Sequence, residues 1–145
     1  HQSEIEEHLT RVSGTNHTVS FVPHLVPMER GILSTIYAEL AEPISDEFVM
    51  RAFLNYYRSE PFVRFLEEEN LPETQGVAHT NFCDIAMRTD ERSNRLIIVT
   101  AIDNLIKGAS GQAIQCMNIS FALPESWGFF TDAEFSNYLK EETTL

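Results

Sequence analysis

Ile5, Leu9 and Val12 recur at helical spacing near the start of the chain, behind Ser3-x-x-Glu6 and ahead of Gly14. This pattern predicts a short helix, with Ser3 and Glu6 as a reciprocal capping box and Gly14 as its stop. Residues 18–26 are rich in β-branched and aromatic side chains, and Pro23 and Pro27 bracket an extended stretch. In residues 31–40, Ile32, Ile36 and Leu40 share one face of a period-2 pattern, which predicts a strand broken by Pro43. Ser45 then caps a second predicted helix, with Asp46 and Glu47 in the first turn, where carboxylates complement the helix dipole. Its apolar stripe is Phe48, Ala52, Phe53, Tyr56 and Tyr57, and Pro61 ends it.

Residues 62–66 predict a short strand, and Glu67-Glu68-Glu69 a solvated turn. Residues 82–89 and 95–102 are strand-like and joined by a polar connection, so they predict an antiparallel hairpin. The second of these strands is almost wholly apolar, which predicts burial on both faces. A third helix is predicted over residues 104–121, with Ile106, Ala109, Ala113, Met117 and Ser120 on one side. Gly108, Ala109, Ser110 and Gly111 leave its first turns without bulk, so another backbone or a flat ligand can approach. Residues 131–145 are open to two readings, a short amphipathic helix or a mobile tail. With neither repeat nor linker, these elements predict an α+β domain: a mixed or antiparallel sheet with helices packed on one face.

The length, 145 residues, fits one domain with one core, and 43% hydrophobic residues exclude a disordered chain. A net charge of −12 without any Lys/Arg stripe argues against nucleic acid or an anionic membrane as partner. The apolar run around residues 96–102 is far too short to span a bilayer. Cys83 and Cys116 form neither CxxC nor a repeated spacing, so no disulfide scaffold and no metal site is expected, and a cytoplasmic setting fits. The chain opens at His1 and enters helical sequence at once, which suggests a piece of something longer.

Residues 101–112 hold the densest chemistry. A buried strand ends in Asp103-Asn104, and a small-residue helix carrying Lys107 follows immediately. Free amides at a helix start, together with a lysine, suit an anion or a polar cofactor edge; a tight strand-to-helix turn packed on glycines is the alternative. Arg30, at a loop–strand junction, can clamp a carboxylate or phosphate, or simply form a surface salt bridge. His79-Thr80-Asn81 offers three polar groups before a strand, and ordinary strand-start hydrogen bonding accounts for them equally well. His1 and Glu4 are a candidate acid/base pair, the carboxylate orienting the imidazole. Cys83 and Cys116 read as small buried hydrophobes rather than nucleophiles.

Several of these segments together resemble one family. His24-Leu25-Val26-Pro27-Met28-Glu29-Arg30-Gly31-Ile32-Leu33 resembles the "PHLVPMxRGIL" signature of N-acetyl-γ-glutamyl-phosphate reductases. Asn81-Phe82-Cys83-Asp84-Ile85 is similar to their "SNYCDI", and residues 101–118 to "AIDNLVKGAAGQAVQNMN". Leu123-Pro124-Glu125 with Gly128 resembles "LPETxG", and His1-Gln2-Ser3-Glu4-Ile5 resembles "HxPEI", with Ser3 in place of proline. The resemblance covers about residues 1–130, leaving residues 131–145 as a C-terminal tail.

It implies a fold like the C-terminal domain of glyceraldehyde-3-phosphate dehydrogenase. It further implies a part in an NADPH-dependent reductase of arginine biosynthesis that converts an acyl phosphate to an aldehyde. The part implied is the substrate-binding and dimerisation domain, with its own dinucleotide-binding domain and a second copy as partners. The family's nucleophile motif, "NPGCY"-like, and GxGxxG do not occur in this chain, so it is expected to be inactive alone. By resemblance His1 and Glu4 take the catalytic acid/base segment, and Arg30 and Asn81 the substrate pocket. Asn104, Lys107, Gly108 and Gly111 take the helix beside the NADP nicotinamide. Aspartate-semialdehyde dehydrogenases, with a similar "DNxxxGAA" helix, and a stand-alone interaction module are the competing readings.

Overall fold

A computed structural model describes residues 1–66 and 70–130 of the chain; the expected Glu67–Glu69 turn and the tail both lie outside the described residues. The elements are α1 (Gln2–Ser13), β1 (Ile32–Glu39), α2 (Asp46–Tyr57), β2 (Val63–Phe65), α3 (Thr74–Val77), β3 (Cys83–Asp90), β4 (Arg95–Ile102) and α4 (Gly111–Ser120). A π-helical turn, Ile106–Ser110, leads into α4. The strands form one sheet in the order β1-β4-β3-β2. β4 pairs antiparallel with β1 and β3, and β2 joins β3 in parallel. The expected hairpin and the α+β class are thus present. No helix among the described residues is long and apolar enough to cross a membrane.

The hairpin turn is built by polar side chains. The Asp90 carboxylate accepts from the Arg92 amide at 3.1 Å and from Ser93 Oγ at 2.7 Å, and Asn94 takes φ 50° to reverse the chain. Asn94 Nδ2 then donates to the Leu40 carbonyl at 2.7 Å, which fixes the end of β1. Residues opposite one another on a ladder share a side of the sheet. Ile36, Ile98 and Met87 therefore share one side, and Tyr37, Ile97 and Arg88 the other.

Helix α2 covers the first side. Ser45 Oγ accepts from the Phe48 amide as the sequence predicts, and the Asp46 carboxylate also accepts from the Thr89 amide on β3. The Phe53 and Tyr57 rings lie 6.2 and 5.9 Å from Phe65. This stripe, with Val49 and Met50, is covered, whereas Phe48 and Tyr56 point outward, because a single sheet face meets only part of the helix surface. The short α3 lies on the second side. There Arg64 binds Asp84 through two bonds of 2.7 and 2.9 Å and donates to the Gly76 carbonyl at 3.4 Å. Helices thus touch both faces rather than one.

Two further expectations change. Helix α1 starts at Gln2 with His1 at its N-cap, so Ser3 already lies inside the helix and no capping box forms. Glu6 instead accepts from the Val19 amide at 2.9 Å, tying down the extended segment, while Gly14 ends the helix at φ 75° as predicted. Strand β4 is not buried on both faces along its length: Leu96 and Ala101 are buried and its other apolar residues only partly so. The cause is β1 beside it, whose Ile32, Leu33, Ile36 and Tyr37 are exposed on both sides. Among the described residues the buried apolar side chains are Val49, Phe62, Val77, Ile85, Ala86, Leu96 and Ala101, a thin core concentrated under β3 and β4.

Candidate functional site

Beyond Ile102 the chain leaves the sheet through Asp103, whose side chain is wholly buried. Its carboxylate accepts four bonds. Oδ2 takes Arg30 Nε at 2.7 Å and the His79 amide at 2.6 Å; Oδ1 takes the Leu105 and Ile106 amides at 2.9 and 3.0 Å. Burial by itself raises the carboxyl pKa, but the Arg30 guanidinium and the three amides outweigh it. They hold Asp103 well below the usual carboxylate range, so it is charged at neutral pH.

The same bonds set the backbone that follows. With two amides captured by Asp103, the next turn closes with longer loops: Gly108 donates to the Asp103 carbonyl, Ser110 to Leu105 and Gly111 to Ile106. This i→i+5 pattern makes the π turn, and π turns concentrate at functional positions. Asn104 Oδ1 accepts from the Gly31 amide at 2.8 Å, joining the turn to the start of β1. Gly31 has φ 104° and a Cβ there would come 2.6 Å from Thr74 Cβ, so only glycine fits.

A second polar cluster lies beneath α4. Gln115 Oε1 accepts from Asn81 Nδ2 at 2.6 Å and from Lys107 Nζ at 2.7 Å, and Gln115 Nε2 donates to Glu125. Lys107 also sits 5.6 Å from the centre of the Phe62 ring. Burial lowers the Lys107 pKa, opposed by the nearby Cys83 and Glu125, and burial raises that of the Cys83 thiol. Asn118 Nδ2 donates to the Glu125 and Trp127 carbonyls, both at 3.0 Å. Helix α4 is therefore inverted. Its buried residues are Gly111, Gln115 and Asn118, while Ile114, Met117 and Phe121 are exposed.

The structure brings Arg30 and Asn104 into the first cluster, and Asn81 and Lys107 into the second, with the π turn joining the two. Gly108 lies on the exposed edge of that turn with Ala109 and Ser110, whereas Gly111 is buried against Asn81. His1 and Glu4 make none of these bonds. His1 is the N-cap of α1 and Glu4 lies in its first turn, in a hollow with Ile5, His8, Leu9 and Phe21. Cys83 is half-buried and Cys116 exposed, which corrects the expectation of two buried thiols. Among the described residues no group of three or more His, Cys, Asp or Glu is placed to hold a metal. Sequence reasoning missed the roles of Asp103, Gln115 and Glu125. The available signal was the recurrence of Gly111, Gln115 and Asn118 at helical spacing, a polar stripe opposite an apolar one.

The sequence profile of the family described as "Semialdehyde dehydrogenase, dimerisation domain" matches residues 1–104, which carry Arg30, Asn81, Asp103 and Asn104. The chain belongs to this family. It is also 52% identical over 128 residues, or 88% of its length, to an N-acetyl-gamma-glutamyl-phosphate reductase of Pelotomaculum thermopropionicum. A reductase of the same name from Geotalea daltonii is 53% identical over the same share. The chain spans 37% of the length of each of these relatives. Among solved structures, an aspartate semialdehyde dehydrogenase II from Vibrio cholerae, complexed with ASA, superposes with a TM-score of 0.56 at 19% identity. That likeness covers 67% of this chain and 29% of the other, and it concerns the fold.

Proposed function

We propose that residues 1–130 are the substrate-binding and subunit-contact domain of a cytoplasmic, NADPH-dependent N-acetyl-γ-glutamyl-phosphate reductase. The observation that carries this reading is identity of about half over 88% of the chain to proteins of that name. The structure gives the matching segments a physical purpose: residues 24–33 and 101–118 meet at the Arg30–Asp103 pair and at the Gly31–Asn104 bond. In this reading Arg30 and Asn81 belong to the acyl-phosphate pocket, and His1, beside Glu4, is the acid/base. The bound dinucleotide supplies the hydride. The surface that suits its flat ring is the bare edge Gly108-Ala109-Ser110, next to Asn104. Lys107 and Gly111, held from within by Gln115 and Asn81, keep that edge in place. The exposed apolar residues of β1 are where a second copy attaches, and the dinucleotide-binding domain covers the outer side of α4.

The test is a chimera in which this chain replaces the corresponding segment of the Pelotomaculum reductase. Phosphate-dependent oxidation of N-acetylglutamate semialdehyde by NADP⁺ is expected to persist. A chimera that is folded and dimeric yet turns over no semialdehyde, beside an active parent, overturns the reading. The chain alone is expected to be inactive in the same assay.

A further inference from the structure

Arg30 is held by one edge only. Its Nε donates to the buried Asp103 carboxylate, and among the described residues its two terminal nitrogens make no hydrogen bond to the protein. The side chain keeps 29% of its surface open while its partner has none. A guanidinium bonded through Nε cannot rotate about its long axis, so its remaining N–H pair is aimed in a fixed direction. That pair matches the two oxygens of a carboxylate or phosphate, the bidentate geometry in which arginine binds such groups most strongly. Asp103 itself cannot turn away, because the His79, Leu105 and Ile106 amides occupy its other lone pairs.

We propose that Asp103 is a positioning residue: it pins Arg30 through Nε so that the terminal guanidinium nitrogens clamp an oxyanion of the substrate. The proposal rests on the assignment of Arg30 to the acyl-phosphate pocket. It adds that the clamp is preorganised before ligand arrives, and that Asp103 acts on affinity rather than on the chemical step. A flexible, solvated arginine pays an ordering cost on binding, which this arrangement has already met. The same carboxylate captures the amides that start the π turn, so the oxyanion clamp and the proposed dinucleotide edge share one support.

The experiment uses the unmodified chain and Asp103→Asn, with Arg30→Lys as the second variant should the first fail to fold. Nitrogen-15 spectra resolve the arginine Nε–H signals. The Arg30 signal, identified by its loss in Arg30→Lys, is expected to show a slowly exchanging, bonded proton before any ligand is added. Inorganic phosphate and N-acetylglycine are then titrated separately, to distinguish a phosphate clamp from a carboxylate clamp. One of the two is expected to bind, and each variant to bind it about tenfold more weakly or worse, the scale of one charge-assisted hydrogen bond. In the chimera the same variants are expected to raise KM by a similar factor with kcat little changed. An unbonded Arg30 Nε in the wild-type chain, no response to either anion, or equal affinity in a folded Asp103→Asn overturns the proposal. These binding measurements need no turnover, so an inactive chimera with a pinned, anion-binding Arg30 counts against the reductase reading alone. An active chimera whose KM ignores both variants counts against the clamp alone.

Discussion

Gly111 lies against Asn81 so closely that a methyl group there would overlap Asn81 Oδ1 and come within 2.9 Å of Ile106 Cγ2. Asn81 cannot retreat easily, because it is 5% exposed and its Nδ2 is bound to Gln115 at 2.6 Å. Gly111→Ala gains helix propensity worth about 1 kcal/mol but overpacks a buried contact at a cost of about 1–3 kcal/mol. A net loss of about 1 kcal/mol is expected in urea denaturation. Asn81→Ala in the same chain is expected to remove the Asn81 part of the overlap, leaving only that with Ile106, so the two substitutions should be non-additive. A Gly111→Ala protein as stable as the wild type means that α4 does not pack this tightly.

The Arg30–Asp103 pair makes a pH prediction with a definite sign. The Asp103 carboxyl is held below its unfolded value of about 3.9, so the folded state binds fewer protons there. The stabilisation is therefore present above about pH 4 and is lost as pH falls below that value toward the folded pKa. Arg30→Met leaves a buried carboxylate without its cation and is expected to cost about 3 kcal/mol at pH 7. Three amides remain on Asp103 in that variant, so the low end of the range for a broken buried pair is the appropriate one. Urea midpoints of wild type and Arg30→Met, compared from pH 7 down to pH 3, should converge toward acid. A gap that stays constant assigns the pair no electrostatic role.

The elements readable in the sequence are those whose signal is local. Ser45 and its acidic neighbours mark α2, Gly14 stops α1, and the polar turn between two apolar strands yields the β3–β4 hairpin. The misread features depend on what lies opposite in space. Ser3 resembles a cap, yet the cap is His1, two residues earlier, and Glu6 finds the Val19 amide, which no window around Ser3 contains. Phe48 and Tyr56 suit a buried stripe by composition, but they are 62% and 76% exposed, whereas Phe53 and Tyr57 reach Phe65. For the candidate site, the segments holding Arg30, Asn104 and Lys107 were visible from sequence. The carboxylate that joins the first two was not, since Asp103 and Arg30 are 73 residues apart.

The exposed strand β1 leads to a prediction about assembly. Ile32 and Ile36 on one side, and Leu33 and Tyr37 on the other, are each 46–65% exposed, on an edge strand that α2, packed over β2 and β3, leaves open among the described residues. Apolar area removed from water is worth about 25 cal/mol per Å², so a few hundred Å² of such surface is enough to drive association. Sedimentation is expected to find a dimer at micromolar concentration. Ile36→Asp and Tyr37→Asp probe the two sides separately, and the side whose substitution yields a folded monomer carries the contact. A wild-type chain that remains monomeric at high concentration removes β1 as the interface.

The inverted helix α4 yields the last prediction. Its buried side makes hydrogen bonds rather than apolar contacts, and Asn118, 2% exposed, is its far anchor. Asn118 Nδ2 spans two carbonyls, Glu125 and Trp127, so one side chain closes the loop after the helix. Asn118→Leu keeps the volume but leaves both carbonyls without this donor, and a lost hydrogen bond of this kind costs about 0.5–1.5 kcal/mol net where the freed carbonyl can reach water. The loop can swing out and solvate those carbonyls, so the global loss stays small. The local effect should be the larger one. Trp127 is the sole tryptophan, and it lies on the released segment, so its fluorescence reports the loop alone. A red shift and easier acrylamide quenching are expected in Asn118→Leu under native conditions, well before the sheet unfolds by circular dichroism. Unchanged Trp127 emission with a lowered melting temperature assigns Asn118 to helix stability alone, and the loop closure to other contacts.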